Sequence, residues 1–209
     1  MSENPPPDDE RYFEWLTQLL EPKYLAADNP RGQSGYGGDE VRWERARRVI
    51  AEGIHRDGTF LDIGCASGLL MESMVIWAAA RGHRIEPYGL DISPKLTALA
   101  RERLPHWADR IYTGNAFDWR PPMRFDFVRT EVVYVPKSWA PAYVRRLLDD
   151  FVAPGGRLLV CSYGNSGRPE PKAEPIGDIL HDWGFAVSGE AEAVELNGVP
   201  VNRVAWITA

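Results

Sequence analysis

Cysteine is scarce: Cys65 and Cys161 are the only two in 209 residues. A disulfide scaffold needs more cysteines in a shorter chain, and a zinc site needs ligand pairs at close spacing. Both thiols fall in apolar segments that read as strand ends, and Cys161 reads as core. No dense carboxylate–histidine cluster stands out, so no metal is expected. A basic excess is also missing: 24 Lys and Arg stand against 30 Asp and Glu, a net charge of −6. An acidic total argues against a broad grip on a phosphate backbone, and so against nucleic acid as a partner. The densest basic run, Arg42, Arg45, Arg47 and Arg48, is interleaved with Glu40 and Glu44 and reads as a solvated helix face. No apolar run reaches membrane-spanning length, so no membrane partner is expected. The polar start, with Pro5, Pro6 and Pro7, does not read as a signal peptide, which makes the cytoplasm the expected compartment.

What is present is globular in composition, 44% hydrophobic and 26% charged. The length suits one domain with a full core. Residues 1–9, acidic and proline-rich, read as a disordered tail. Tyr12, Trp15, Leu16, Leu19 and Leu20 follow helical spacing. A glycine-rich loop runs from Asn29 to Gly38. Asp39 then reads as the N-cap of a second helix that carries Ala46, Val49 and Ile50 and ends at Gly53. Residues 10–56 thus form an N-terminal helical cap, and residues 57–209 a second unit in which strands and helices alternate.

The strands are expected at 59–63, 85–91, 110–113, 125–129, 157–162, 186–196 and 200–208. Helices are expected at 68–81, 93–103, 138–151 and 174–183. The turn Asn197-Gly198 between the last two strands signals a hairpin. The pattern predicts an α/β fold: a doubly wound, mainly parallel seven-stranded sheet covered on both faces, with a C-terminal antiparallel hairpin. A monomer or a homodimer is expected.

The segment Asp62-Ile63-Gly64-Cys65-Ala66-Ser67-Gly68 is a strand, a glycine-rich turn and a helix start, an arrangement that presents backbone N–H groups to a nucleotide. Gly64 and Gly68 allow close approach to the backbone, and Ala66 is the next smallest choice. Three features narrow the ligand. An acid, Asp62, precedes the turn, where a pyrophosphate would gain nothing and a cationic group would. The spacing Gly-x-Ala-x-Gly departs from the G-x-G-x-x-G of nicotinamide and flavin binders. Asp91 ends the next strand, where a carboxylate can accept hydrogen bonds from ribose hydroxyls. The implied ligand has a ribose and some positive charge.

Residues 60–68 resemble the first motif of the Rossmann-like (class I) S-adenosylmethionine-dependent methyltransferases. Tyr88-Gly-Leu-Asp-Ile-Ser-Pro94 resembles their second, and Gly114-Asn-Ala-Phe-Asp118 the segment after their third strand. Phe125-Asp-Phe-Val128 with Arg129-Thr130-Glu131 resembles their fourth strand and its exit. Val152-Ala-Pro-Gly-Gly-Arg-Leu-Leu-Val160 resembles the turn into their fifth. The resemblance spans residues 58–162 and implies S-adenosyl-L-methionine as cofactor, with S-adenosyl-L-homocysteine as product. It implies that Gly64, Cys65, Ala66 and Gly68 line the methionine and ribose part, with Asp62 under the amino end. Asp91 would take the ribose hydroxyls and Ile92 pack on the adenine. Asn115 or Ala116 would meet the adenine amine, Phe117 stand beside the ring, and Thr130 contribute backbone near the methionine. Arg129 is an unusual charge at the end of a buried strand, and the sequence does not explain it. Asp118 and Asp126 read as structural.

The resemblance leaves the acceptor open. A hydroxyl acceptor needs a base within about 3 Å. Glu131 and Tyr134 leave the fourth strand in the right place and are the candidate catalytic residues. For Glu131, a hold on the cofactor or a neighbouring loop is an equal alternative. His181, beside Trp183, reads as structural. The fourth-strand exit, Thr130 to Tyr134, lacks the Asn/Asp-Pro-Pro-aromatic run of adenine-N6 methyltransferases. Recognition is expected from Tyr12 and Trp15, from Tyr36 and Trp43, and from the loop Tyr163–Pro175. The first two groups would form a lid, with Tyr36 at the methionine end; for Tyr12 and Trp15, covering the sheet is an equal alternative. The expected function is methyl transfer to oxygen or nitrogen of a small molecule. The alternatives are protein or ribosomal RNA methylation, and a non-catalytic binder of the same cofactor. A nicotinamide oxidoreductase fits least, because of the glycine spacing.

Overall fold

The computed structural model describes residues 7–164 and 173–209. Strand β1 (Gly58–Ile63) carries the strand formers Thr59, Phe60 and Ile63, and its last four residues are buried. It pairs in parallel with β2 (Ile85–Asp91) on one side and β4 (Phe125–Glu131) on the other. The short β3 (Ile111–Thr113) extends the sheet beyond β2, and β5 (Val152–Tyr163) extends it beyond β4. Strand β7 (Pro200–Thr208) runs antiparallel between β5 and β6 (Gly189–Val194). The seven-stranded order is β3-β2-β1-β4-β5-β7-β6, the mainly parallel sheet with a C-terminal hairpin that the sequence predicts.

Alternate residues of each buried strand feed two apolar layers. On one face Leu61, Val128, Leu158 and Val160 meet Tyr143, Leu147, Phe151 and Leu180. On the other, Phe60, Phe127 and Leu159 meet Ile50, Ile54, Met74 and Trp77. Each such side chain stabilises the fold by about 1.5–3 kcal/mol. The helices that cover the sheet are α3 (Leu69–Ala79), α4 (Pro94–Arg103), α5 (Ala140–Arg146) and α6 (Ile176–Asp182). Two more precede it, α1 (Arg11–Leu25) and α2 (Glu40–Arg47). Among the described residues no helix is long and apolar enough to cross a membrane.

Several boundaries differ from the sequence expectation. The second helix is capped by Asp39 as expected, its side chain accepting from Arg42 N at 2.8 Å. It ends at Arg47, however, and a 3-10 turn covers Arg48–Gly53. Buried Asn202 donates to the Ala46 carbonyl at 2.8 Å, taking the acceptor that the next α turn would use. The helix expected over 138–151 is a 3-10 turn, α5, and a wide π turn (Leu147–Phe151) that keeps Leu147, Leu148 and Phe151 all buried. Strand β5 begins before Pro154, because Gly155 N and Gly156 O pair with Ala209. Strand β6 is shorter than 186–196, its regular pairing ending at a shift between Ala193 and Val194.

The tail expected over residues 1–9 makes ordered contacts at its end: Asp8 accepts from Ser138 N at 3.2 Å and Asp9 from Arg11 N at 3.0 Å. Residues 1–6 lie outside the described residues, as does most of the expected recognition loop 163–175.

Candidate functional site

The parallel strands all end at one edge of the sheet, and the turn after β1 shapes it. Gly64, Ala66 and Gly68 have φ of +76°, +46° and +75°. For Ala66 that left-handed backbone costs about 1–2 kcal/mol, and the hydrogen bonding shows what holds it. Ala66 N donates to Asp91 Oδ2 at 2.9 Å, while Ser93 N donates to Asp91 Oδ1 at 2.9 Å. One carboxylate therefore fixes both the β1 turn and the start of α4, whose first turn Ser93 caps through Leu96 N at 3.1 Å. Burial pushes the Asp91 pKa up, against these backbone donors. Ile92, next in the chain, is left 36% exposed at this edge.

Arg129, unexplained by the sequence, is the hub of a buried network. It stands opposite Asp62 in the β1–β4 register. Its Nη1 lies 3.2 Å from Asp62 Oδ1, and donates to the Ile63 carbonyl at 3.1 Å and to Tyr134 Oη at 3.1 Å. Its Nη2 donates to Glu131 Oε1 at 2.5 Å and to Tyr163 Oη at 2.5 Å. Tyr134 Oη also donates to Glu131 Oε1, at 2.6 Å. Burial raises the Asp62 pKa to about 6, although the Arg129 guanidinium opposes it. The phenols of Tyr134 and Tyr163 are pushed up by the same burial. The Tyr134 ring lies on the turn: a Cβ at Gly64 would stand 2.6 Å from it.

The cap meets this edge at several points. Ser34 and Ser67 hydroxyls are 2.8 Å apart, and Ser67 Oγ donates to the Pro30 carbonyl at 3.0 Å. Glu21 bonds Ser93 Oγ at 2.5 Å and Lys95 Nζ at 2.8 Å. Tyr12 Oη donates to the Val133 carbonyl at 2.7 Å. Tyr24 packs over Gly35. Burial first, then the charges of Glu131 and Asp91, push its phenol up to about 12, so α1 places a hydroxyl between two strand exits.

The structure brings Asp62, Gly64, Cys65, Ala66, Gly68, Asp91, Ile92, Glu131 and Tyr134 to one edge. Asn115 forms the turn after β3, its side chain accepting from Phe117 N at 3.0 Å. Ala116 is buried. Phe117 stacks with Phe13 and Trp139, centroids 6.1 and 4.7 Å away. Thr130 turns its hydroxyl into the core, 2.7 Å from Tyr143 Oη. Tyr36 packs on Trp43 and on Arg47, at 5.3 and 5.1 Å. Cys65 and Cys161 are both free and buried, and burial raises both thiols, which disfavours the reactive thiolate. Asp126 is structural, accepting from Thr59 N at 2.8 Å and pairing with Arg56 at 2.7 Å. His181 is exposed on α6.

The basic run is a correction. Arg42 and Arg45 reach Glu195, and Arg48 pairs with Glu44, but Arg47 is buried among Tyr36, Trp43 and Tyr163. Its spacing of four from Trp43 on a helix was the available signal. Tyr24 and Glu21 carry no sequence signal, since each acts through a partner distant in the chain; Tyr163, the first residue of the expected recognition loop, lies against Arg47 and Arg129.

The edge fits an adenosyl ligand on its own geometry. The turn sets the small residues Gly64, Ala66 and Gly68 in a left-handed backbone, with Gly64 the one of the three left partly exposed. Asp91 presents a fixed carboxylate, and Ile92 offers an uncovered apolar side chain two atoms of chain away from it.

No protein-family model matches the chain. A trans-aconitate 2-methyltransferase from Methylobacterium radiotolerans is 30% identical over 138 residues, covering 65% of this chain and 50% of that one. The chain thus spans about half the length of this curated relative. Among solved structures, a 1,6-didemethyltoxoflavin-N1-methyltransferase of Burkholderia thailandensis, with bound S-adenosylhomocysteine, superposes with TM-score 0.64 at 15% identity. The match covers 99% of this chain and 92% of that one. The [4+2]-cyclase SpnF superposes with TM-score 0.62 at 15% identity, covering 100% and 98%. One fold thus serves a methyltransferase and a cyclase, so the likeness fixes architecture and leaves the reaction open. The chain thus has the Rossmann-like fold of the class I S-adenosylmethionine-dependent methyltransferases, and over 138 residues it is similar in sequence to one of them.

Proposed function

We propose that the chain binds S-adenosyl-L-methionine at this edge and transfers its methyl group to oxygen or nitrogen of a small molecule. The observation that carries the reading is the Asp91 carboxylate, which ties the Gly64–Gly68 turn to the start of α4 beside exposed Ile92. Residues 57–209 act as the binding domain and residues 10–56 as its cap. Asp91 accepts the ribose hydroxyls on the lone pairs that its backbone donors leave, and Ile92 packs on the adenine. Gly64, Cys65, Ala66 and Gly68 line the methionine and ribose. Asn115, Ala116 and Phe117 surround the adenine edge, while Asp62, Thr130 and Tyr36 stand toward the methionine end.

When bound, this group would supply a methyl already activated on a sulfonium, with the thioether as its leaving group. The protein's part is to hold acceptor and methyl in line and to exclude water, which can supply about 7–11 kcal/mol of the barrier. A proton released by an O–H or N–H acceptor goes to Glu131. Its Oε1 is occupied by Arg129 and Tyr134. Its Oε2 bonds to nothing among the described residues. Tyr134 orients that carboxylate.

The test is calorimetry followed by a transfer assay. S-adenosylhomocysteine should bind and NAD should not. Labelled S-adenosylmethionine should pass its methyl to an acceptor in a small-molecule panel that includes trans-aconitate, the compound named for the curated relative. Failure to bind S-adenosylhomocysteine removes the reading. Binding without transfer to any member of the panel favours a second reading, a non-catalytic binder. That reading is supported by the Glu131 carboxylate being already engaged by Arg129 and Tyr134.

A further inference from the structure

Arg47 is 9% exposed, and among the described residues its guanidinium has no carboxylate partner. Its helix neighbours do: Arg42 and Arg45 share Glu195, and Arg48 holds Glu44. Arg47 is held by aromatic faces instead. Its Cζ lies 3.4 Å from the centroid of Tyr163, 5.1 Å from that of Tyr36 and 5.5 Å from that of Trp43. Such rings fix the plane of a guanidinium and offset part of its desolvation, but they leave its N–H edge free. Sealed side-chain nitrogens without a partner occur elsewhere among the described residues, at Arg129 Nε for example, but none belongs to Arg47. Its N–H edge therefore opens on a space rather than into packing. A planar guanidinium in that setting matches a carboxylate through two parallel hydrogen bonds.

The surroundings identify the carboxylate. Tyr163, whose ring carries the guanidinium, accepts from Arg129 Nη2 at 2.5 Å. Arg129 Nη1 in turn lies 3.2 Å from Asp62 Oδ1 and donates to the Ile63 carbonyl at 3.1 Å, the two residues that lead into the glycine turn. On the other side, the half-buried Tyr24 phenol feels the charges of Asp91 and Arg47 together, so both groups look onto one cleft. Tyr36, which stands toward the methionine end in the methyl-transfer reading, is a wall of the same cage.

A methionine end carries an α-ammonium and an α-carboxylate on one carbon, so the protein groups that hold them must be neighbours. Asp62, an acid suited to the ammonium, and Arg47, a cation suited to the carboxylate, are separated by only the Tyr163 ring and the Arg129 guanidinium. We propose that Arg47 binds the α-carboxylate of S-adenosylmethionine. The donor is then held from both units, by Asp91 from the sheet and by Arg47 from the cap. The proposal rests on the methyl-transfer reading of the site, from which it takes the donor.

The experiment is calorimetry on the intact chain with three ligands. They are S-adenosylhomocysteine, its decarboxylated analogue, which keeps the amine, and 5′-methylthioadenosine, which lacks the whole amino-acid end. The parent should bind S-adenosylhomocysteine at least about tenfold more tightly than the decarboxylated analogue. Arg47→Gln should erase that difference by weakening S-adenosylhomocysteine alone, with the other two ligands within about twofold of the parent. Arg47→Lys should keep part of the difference. Far-UV circular dichroism checks that both variants are folded, and Arg47→Lys carries the comparison if Arg47→Gln is not. Equal binding of S-adenosylhomocysteine and its decarboxylated analogue by the parent overturns the proposal without any variant. So does a folded variant that weakens all three ligands alike, since Arg47 would then support the pocket rather than the carboxylate, and so does one that weakens none. If the parent binds none of the three, the methyl-transfer reading itself falls, an outcome distinct from equal binding.

Discussion

Arg129 and Asp62 face each other across β4 and β1, Nη1 3.2 Å from Oδ1, with side chains 3% and 1% exposed. Removing one member of such a pair leaves the other charged and sealed in, a loss of about 3–5 kcal/mol. Arg129→Leu should lower the urea midpoint accordingly. The double variant Arg129→Leu/Asp62→Asn should recover a substantial part of the loss, because the orphaned carboxylate is gone. Full additivity of the two single effects would mean that the pair is not coupled.

Asp62 gives the site a pH dependence of unusual sign. Its folded pKa is raised by burial from 3.8 to about 6, so folding takes up a proton there. The stabilising contribution is fully present below pH 3.8 and lost as pH rises through about 6. Asp62→Asn removes that dependence. The stability difference between parent and variant should shrink between pH 4 and 7, read from urea midpoints in matched buffers. A gap that widens over this range would contradict the assignment.

Gly64 combines a φ of +76° with a tyrosine ring 2.6 Å from where a Cβ would stand. Gly64→Ala should cost about 1–3 kcal/mol through backbone strain and displace Tyr134 as well. S-adenosylhomocysteine affinity should fall more steeply than stability does. Gly155→Ala, also at positive φ but with open space around it, is the control: it strains the backbone and should leave that affinity unchanged.

Tyr12 and Glu21 hold α1 to the exits of β4 and β2. Tyr12→Phe and Glu21→Gln should each loosen the cap by about 0.5–1.5 kcal/mol. The measurement is the rate of limited proteolysis within residues 28–38, which should rise in both variants while the sheet stays intact. An unchanged rate would mean that the cap is held chiefly by its apolar contacts.

The strand order and the turn at 62–68 were legible because they depend on local pattern: apolar runs, a preceding acid, small residues and an Asp at the next strand end. Asp91 was read as a ribose ligand on position alone, and its two backbone partners show why a carboxylate stands there. Arg129 and Arg47 were not legible, since the charge of each is explained only by side chains from other elements. Arg47 was read as solvated because its neighbours are, and helix α2 turns that one guanidinium inward. The end of α2 was hidden for the same reason: the residue that takes the Ala46 carbonyl, Asn202, lies 156 positions away.

The cap is tied to three different strand exits: through Ser34 to the turn after β1, through Glu21 to the start of α4 after β2, and through Tyr12 to Val133 after β4. Cutting any one tie leaves residues 10–56 braced at the two other strand exits, so the segment is cross-linked to the sheet edge rather than hinged on a single point.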